Sequence, residues 1–388
     1  MSDYPFALMP YPFVALDHAP QGPLAGLSFA VKDLFDVAGY PTAGGNPHLL
    51  AMSGIKTRTA PTVQRLLDAG ARMVGKAHTN EMAFSMSGKN AHFGTPVNGA
   101  APERIPGGSS SGSASAVSNG LCDFALGTDT GGSVRTPASY CGLYGLRPTH
   151  GRVSLEDCQA LCKSMDTCGY FTRSAAVFEA VGECLLGEDA RPLDAPELMR
   201  IPALFALLPE ASQAALEPAL QRIEARCGAL ACVEAELPSL EEAYWAFRYI
   251  QGREAWQAQG ETIERHGLQL GPDVAARFLW SRQVSDKDVT WAIGFREQMR
   301  QHMDELLGDR VLVLPTVPDV APLLSARDEE IEHTRQLSHH LLCIAVLCGL
   351  PQVSLPLASK DGAPLGISLM ARAGMDLSLV RLAARIGG

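Results

Sequence analysis

Long apolar runs, basic tracts and paired metal-ligand motifs are all missing from this sequence. The longest apolar run, Leu341–Leu350 (LLCIAVLCGL), is about half of the ~20 residues that a membrane-spanning helix requires, so no transmembrane helix is expected. The opening stretch (MSDYPFALMPYPF) has no basic start, carries an early Asp3 and is interrupted by prolines, which argues against an export leader. Lysine is scarce at seven residues, and 32 basic against 42 acidic side chains leave a formal charge of −10. An acidic chain without a Lys/Arg stripe is a poor partner for nucleic-acid phosphates or anionic lipid. The ten cysteines lack the paired CxxC spacing of structural zinc sites, and no HExxH accompanies them. In an unexported, cytoplasmic chain they read as reduced, mostly buried small apolar residues.

What is present is a foldable, turn-rich chain. With 46% apolar and 19% charged residues it can bury a sizeable core, which excludes a disordered or collagen-like protein. At roughly 150 residues per domain, the length allows one large domain or two to three ordinary ones. Residues 24–39 (LAGLSFAVKDLFDVAG) hold a short buried strand ending in charge, and Pro61–Ala69 reads as a helix with Pro near its start and Gly70 past its end. Ala71–Gly75 and Leu121–Leu126 read as strands, and Ser113–Val117 as a small-residue helix. Beyond Leu155 the pattern turns helical, over Ala175–Leu186, Ala211–Cys227, Leu240–Gln259 and Asp288–Leu307; strands return at Val311–Leu314, Val353–Leu357 and Leu365–Met370. The expected organisation is one domain over 1–388, with an α/β core at 24–150, a helical segment at 155–307 and a return to the sheet at 308–388.

Three short segments carry chemistry. Pro106–Ser113 (PGGSSSGS) reads on its own as a flexible loop. Its Gly108, Ser110 and Gly112 satisfy G-x-S-x-G, but the preceding Ala101–Pro106 does not read as the strand that a nucleophile elbow needs, and no Gly-Lys-Ser/Thr follows to make a phosphate cradle. Gly127–Thr136 (GTDTGGSVRT) follows a strand, and its paired glycines allow successive N–H groups to converge beside Ser133, as an oxyanion hole requires; an ordinary strand-to-helix turn reads equally well. Lys32 is the lysine embedded in an apolar strand, where desolvation would lower its pKa and let it accept a proton; alone, it also reads as a snorkelling surface residue.

Taken together, Lys32, the serine loop with Ser109 and the GGS ending at Ser133 resemble the amidase signature family of Ser-cis-Ser-Lys amidohydrolases. The resemblance runs from about Gly26 to Pro148, including GTDTGGSVRTPASYCGLYGLRPT, and resumes in VLVLPTVP, CGLPQVSLP and PLGISLM. AVKDLFDVAGYPT and NEMAFSMSGKNAHFGTP look most like the compact indole-3-acetamide hydrolases and their bacterial relatives. The resemblance implies an α/β fold with a large mixed central sheet covered by helices on both faces. It implies Ser133 as nucleophile, Ser109 as the bridging residue behind a cis Gly108-Ser109 bond, and Lys32 as the terminal base. The backbone N–H groups of Thr130, Gly131, Gly132 and Ser133 would hold the oxyanion, with Asp129, Arg135, Ser110, Met82 and Gly108 supporting the loops or the substrate. Neither metal nor cofactor is required. The expected partner is a small amide, such as an aryl- or alkylacetamide, with no nucleic acid and no membrane, and a homodimer is the assembly to test.

Within the resemblance, His92 and the pair His339-His340 are expected at the surface or in loops, and the aromatic residues of the 240–259 helix divide between packing and lining an acyl pocket. Asn98-Gly99 stands where the family often has Asn-Pro, and 388 residues read as short for it, which places the expected trimming at the pocket wall opposite Ser133. Two other functions share these motifs: a glutamine-hydrolysing amidotransferase of the A type, and a non-catalytic amidase-like binding module. The absence of a basic tract weighs against the first, and the presence of all three triad residues against the second.

Overall fold

Short apolar runs, several of them buried on both faces, form the strands of one sheet. The computed structural model describes residues 6–193 and 195–388, so the first five residues of the opening stretch lie outside the described residues. The strands are β1 (Ser28–Lys32), β2 (Arg72–Ala77), β3 (Phe124–Thr128), β4 (Tyr144–Arg147), β5 (Cys168–Thr172), β6 (Leu198–Arg200), β7 (Leu230–Cys232), β8 (Val311–Pro315), β9 (Gln352–Lys360) and β10 (Ala363–Met370). They lie in the order β2-β1-β3-β5-β4-β9-β10-β8-β6-β7. β1 is parallel to both β2 and β3, the middle of the sheet is antiparallel, and β8, β6 and β7 are parallel again.

Alternation along β1 and β3 explains how both faces are covered. Phe29, Val31, Phe124 and Leu126 face the largest hydrophobic cluster, whereas Ala30 and Ala125 face a second cluster with Ala77, Ala114, Ala116 and Val117. The small side chains on this second face let the helix Ser111–Ser118 pack closely on the strands. Because the period is two, Lys32 shares the face of Ala30 and so points toward that helix. In β2, Lys76 is in register with Val31 and projects on the opposite face.

The structure differs from the sequence expectations most in the middle. The 155–307 segment is not purely helical: it supplies β5, β6 and β7, and β5 sits inside the sheet between β3 and β4. Buried on both faces, β5 (CGYFT) shows none of the polar alternation that would mark it as a strand. The aromatic helix runs over Leu240–His266, capped by Ser239 and closed by a left-handed Gly267, and a further helix, Pro272–Ser281, follows. The longest apolar run lies in the second half of the helix Asp328–Cys348, whose residues Leu341–Leu347 are all buried. Among the described residues, no helix is long and apolar enough to cross a membrane.

Candidate active site

Lys32 ends β1 and Thr128 ends β3, its parallel neighbour, so both side chains sit at the carboxyl edge of this part of the sheet. Lys32 is fully buried; its Nζ donates to Ser109 Oγ at 2.7 Å and to Thr128 Oγ1 at 2.8 Å. Desolvation brings its pKa down to about 7, although Cys158, Asp166, Asp129 and Cys168 pull it upward. The Gly108-Ser109 bond is cis. Its surroundings leave no room for a side chain at position 108, where a Cβ would lie 1.8 Å from Asn80 Oδ1. Asn80 N–H and Thr79 Oγ1 both donate to the Ser109 carbonyl, at 3.0 and 3.1 Å. Ser110 contacts the end of β3: its hydroxyl donates to the Thr128 carbonyl at 3.1 Å and accepts from the Thr128 N–H at 3.2 Å.

The turn after β3 is organised by a buried carboxylate. Asp129 accepts from the N–H groups of Gly132 (2.9 Å), Val134 (3.1 Å) and Arg135 (3.2 Å), and from the guanidinium groups of Arg135 and Arg147. Burial alone would raise the Asp129 pKa, but the two arginines outweigh it and hold the carboxylate well below its usual range. Arg135 also donates to the Leu342 carbonyl and to Gln352, which ties the loop to the helix Asp328–Cys348 and to β9. The Gly132 N–H is thus committed to Asp129, which corrects its expected place among the oxyanion donors. The N–H groups of Thr130, Gly131 and Ser133 donate to no described residue. Gly131 and Gly132 are required by close approach: a Cβ would stand 2.5 Å from Phe247 Cζ and 2.5 Å from Leu342 Cδ1, respectively.

Ser133 is almost fully buried, and its Oγ is free of hydrogen bonds to the described residues. It lines a narrow cavity of about 20 Å³ with Phe84, Gly131, Gln251, Arg277 and His339, among others. Ser85, Met86, Arg277 and Arg335 are shared with an outer vestibule of about 720 Å³. A separate cavity of about 350 Å³ is bordered by Leu34, Thr128, Thr130 and Asp166. There Thr130 Oγ1 donates to Asp166 at 2.6 Å.

Several residues sit elsewhere than expected. Met82 packs in a core cluster with Leu34 and Leu161, while Phe84 and Met86 border the cavities. His339 is buried, not at the surface; burial and the neighbouring arginines push its pKa well below the ordinary value, so it is a neutral wall of the Ser133 cavity. His92 is half-buried and paired with Glu81 at 2.8 Å, and His340 lies 3.1 Å from Glu241. The aromatic residues of the Leu240–His266 helix border neither the cavity nor the vestibule; Phe247 packs on Gly131 and on His339, 4.8 Å between ring centroids. The same helix supplies Arg248 and Gln251 instead, and neither has a local sequence signal. Lys76 is a second fully buried lysine. It pairs with Asp33 at 2.9 Å and donates to the Phe35 and Pro41 carbonyls, so it is fully engaged in structure.

Among the described residues, no three His, Cys, Asp or Glu side chains gather as a metal site. The Amidase family model matches residues 14–380. Amidase 1 of Arabidopsis thaliana is 37% identical over 390 residues, covering 92% of each chain. Amidase 1 of Oryza sativa subsp. japonica is 35% identical over 391 residues, covering 93% of this chain and 90% of that one. A crystal structure of an amidase superposes with a TM-score of 0.84 at 32% identity, covering 94% of this chain and 85% of that one. The match spans the sheet, the serine loop and the glycine turn together, and the chain belongs to the amidase family of amide-hydrolysing enzymes.

Proposed function

We propose that this amidase cleaves a small carboxylic amide to the acid and ammonia through an acyl-enzyme on Ser133, with Ser109 and Lys32 as its proton relay. The observation that carries the reading is the 2.7 Å bond from buried Lys32 to Ser109 Oγ, in a serine loop whose next N–H, that of Ser110, donates to the Ser133 carbonyl at 3.3 Å. With a pKa near 7, Lys32 is partly neutral at physiological pH and able to accept a proton. As Ser133 Oγ attacks the amide carbon, its proton passes to Ser109, whose own proton passes to Lys32. The oxyanion develops against the uncommitted N–H groups of Gly131 and Ser133, with Thr130 adjacent. The relay returns the proton to the departing nitrogen as the C–N bond breaks, and a water molecule, activated along the same path, then cleaves the ester. Substrate draws the Ser133 and Ser109 hydroxyls into hydrogen-bond contact, since catalytic contacts of this kind commonly tighten only in the complex.

The apolar lining of the vestibule by Met86, Ile105 and Trp280 suits the acyl part of an aryl- or alkylacetamide. A cytoplasmic location is part of the proposal, supported by ten cysteines that are all free thiols. The assembly proposed is a homodimer, which its mass in solution tests. The decisive experiment is ammonia release over a panel of amides by the wild type and by Ser133→Ala. Turnover should vanish in the variant with the fold intact, and normal turnover there would remove the proposal.

A further inference from the structure

Three arginines converge on the vestibule leading to Ser133, and one of them has no carboxylate partner among the described residues. Arg248, Arg277 and Arg335 line it from three different helices, Leu240–His266, Pro272–Ser281 and Asp328–Cys348. One carboxylate lies among them: Glu332 accepts from Arg277 at 3.0 Å and from Arg335 at 2.8 Å, with a second, shorter bond from Arg335. Among the described residues Arg248 has no ion pair, and its Nε and one terminal nitrogen are buried without a hydrogen-bond partner. Arg277 Nε is likewise unpartnered. The Arg248 guanidinium carbon lies over the Trp280 ring, 4.6 Å from its centroid, a cation–π contact that holds the group in the vestibule. The remaining charged groups at the rim are Lys89, Asp273, Asp328 and Glu329; Lys89 and Asp328 approach each other at 3.5 Å. A buried guanidinium without partners is costly unless an anion arrives to meet it, and a planar two-oxygen anion matches its fork.

We infer that the substrate is a half-amide: a small amide whose acyl portion ends in a carboxylate, seated on Arg248 with Arg277 and Arg335 beside it, while its carboxamide reaches Ser133. This rests on the reading of Ser133 as the nucleophile. The physical link is that Arg277 and Arg335 border both the Ser133 cavity and the vestibule, so the two spaces adjoin. A neutral arylacetamide would fill the apolar wall and leave Arg248 unpaired.

The test compares kcat/KM for ammonia release from matched pairs, succinamate against butanamide and glutaramate against pentanamide, with indole-3-acetamide as the neutral aryl amide. In the wild type the carboxylate member should be favoured by about 10- to 100-fold, expressed mainly in KM, as expected for a charge-assisted hydrogen bond. Arg248→Met should erase most of that ratio and Arg248→Lys should keep part of it. Arg277→Met provides a second variant should the first fail to fold. Calorimetric binding of succinamate and butanamide to the Ser133→Ala protein reads recognition without turnover. If succinamate binds that protein through Arg248 while the wild type hydrolyses no amide, the carboxylate site at Arg248 stands, and the proposed reaction falls together with the half-amide's role as its substrate. Ser133-dependent turnover with no preference within the pairs overturns the inference and leaves the reaction standing. So does a ratio unchanged in both arginine variants, or indole-3-acetamide turned over better than either half-amide. The absence of both binding and turnover of the half-amides also overturns it.

Discussion

The pH dependence of turnover tests the relay most directly, because the burial of Lys32 sets where it must titrate. An ordinary lysine would stay protonated across the physiological range, and the rate of a reaction needing its neutral form would rise about tenfold per pH unit up to about pH 10. Buried with hydroxyls as its hydrogen-bond partners, Lys32 titrates near 7. The neutral fraction then rises from about one-tenth at about pH 6 to about nine-tenths at about pH 8, and flattens above that. The expected profile of kcat/KM is therefore a tenfold rise between about pH 6 and about pH 8, followed by a plateau. Thr128→Val adds a signed control. Thr128 Oγ1 accepts a hydrogen bond that favours the ammonium form, so its removal should move the midpoint down by about one unit, equivalent to about 1.4 kcal/mol. The assay is ammonia release at subsaturating substrate from about pH 5 to about pH 10. A flat profile, or a unit-slope rise continuing past about pH 9, would refute Lys32 as the base.

Other expectations concern the scaffold around the site. Asp129→Asn leaves Arg135 and Arg147 buried without their counter-charge and should cost about 3–5 kcal/mol in urea denaturation. Since the Asp129 pKa is depressed, its stabilisation is fully present above the unfolded carboxylate value of 3.8 and is lost as pH falls below it. This part of the acid sensitivity should be missing from the Asn variant. Gly131→Ala forces a methyl against Phe247 and should lower stability by about 1–3 kcal/mol, seen as a reduced Tm, and turnover should fall with it. Lys76→Met strands Asp33 in the interior and should destabilise by about 3–5 kcal/mol; adding Asp33→Leu should recover much of the loss in the same denaturation assay. A mild effect of Lys76→Met alone would show that Asp33 is readily protonated in place, consistent with the upward push of burial on its pKa.

Local patterns carried the parts of this protein that depend on neighbours in the chain. The strand at residues 28–32, the small-residue helix after the serine loop and the glycine turn before Ser133 were legible because a handful of consecutive residues dictates each. The close approach that requires glycine at 131 and 132 was not legible, because Phe247 and Leu342, which enforce it, come from remote helices. β5 was not legible, since a strand buried on both faces has no alternation to read. Nor was Lys76 distinguishable from an exposed lysine, because its partner Asp33 meets it only through the pairing of β1 with β2.

The sequence by itself supplied three short motifs, each ambiguous alone, and their joint resemblance to one family named the three residues proposed to act together. Folding settled their electrostatics and their surroundings. Burial brings Lys32 to a useful pKa, Asp129 removes one of four expected N–H donors, and three helices far apart in sequence converge three arginines on the vestibule. Those features depend on distance and desolvation across the packed molecule, and no local pattern of residues encodes either.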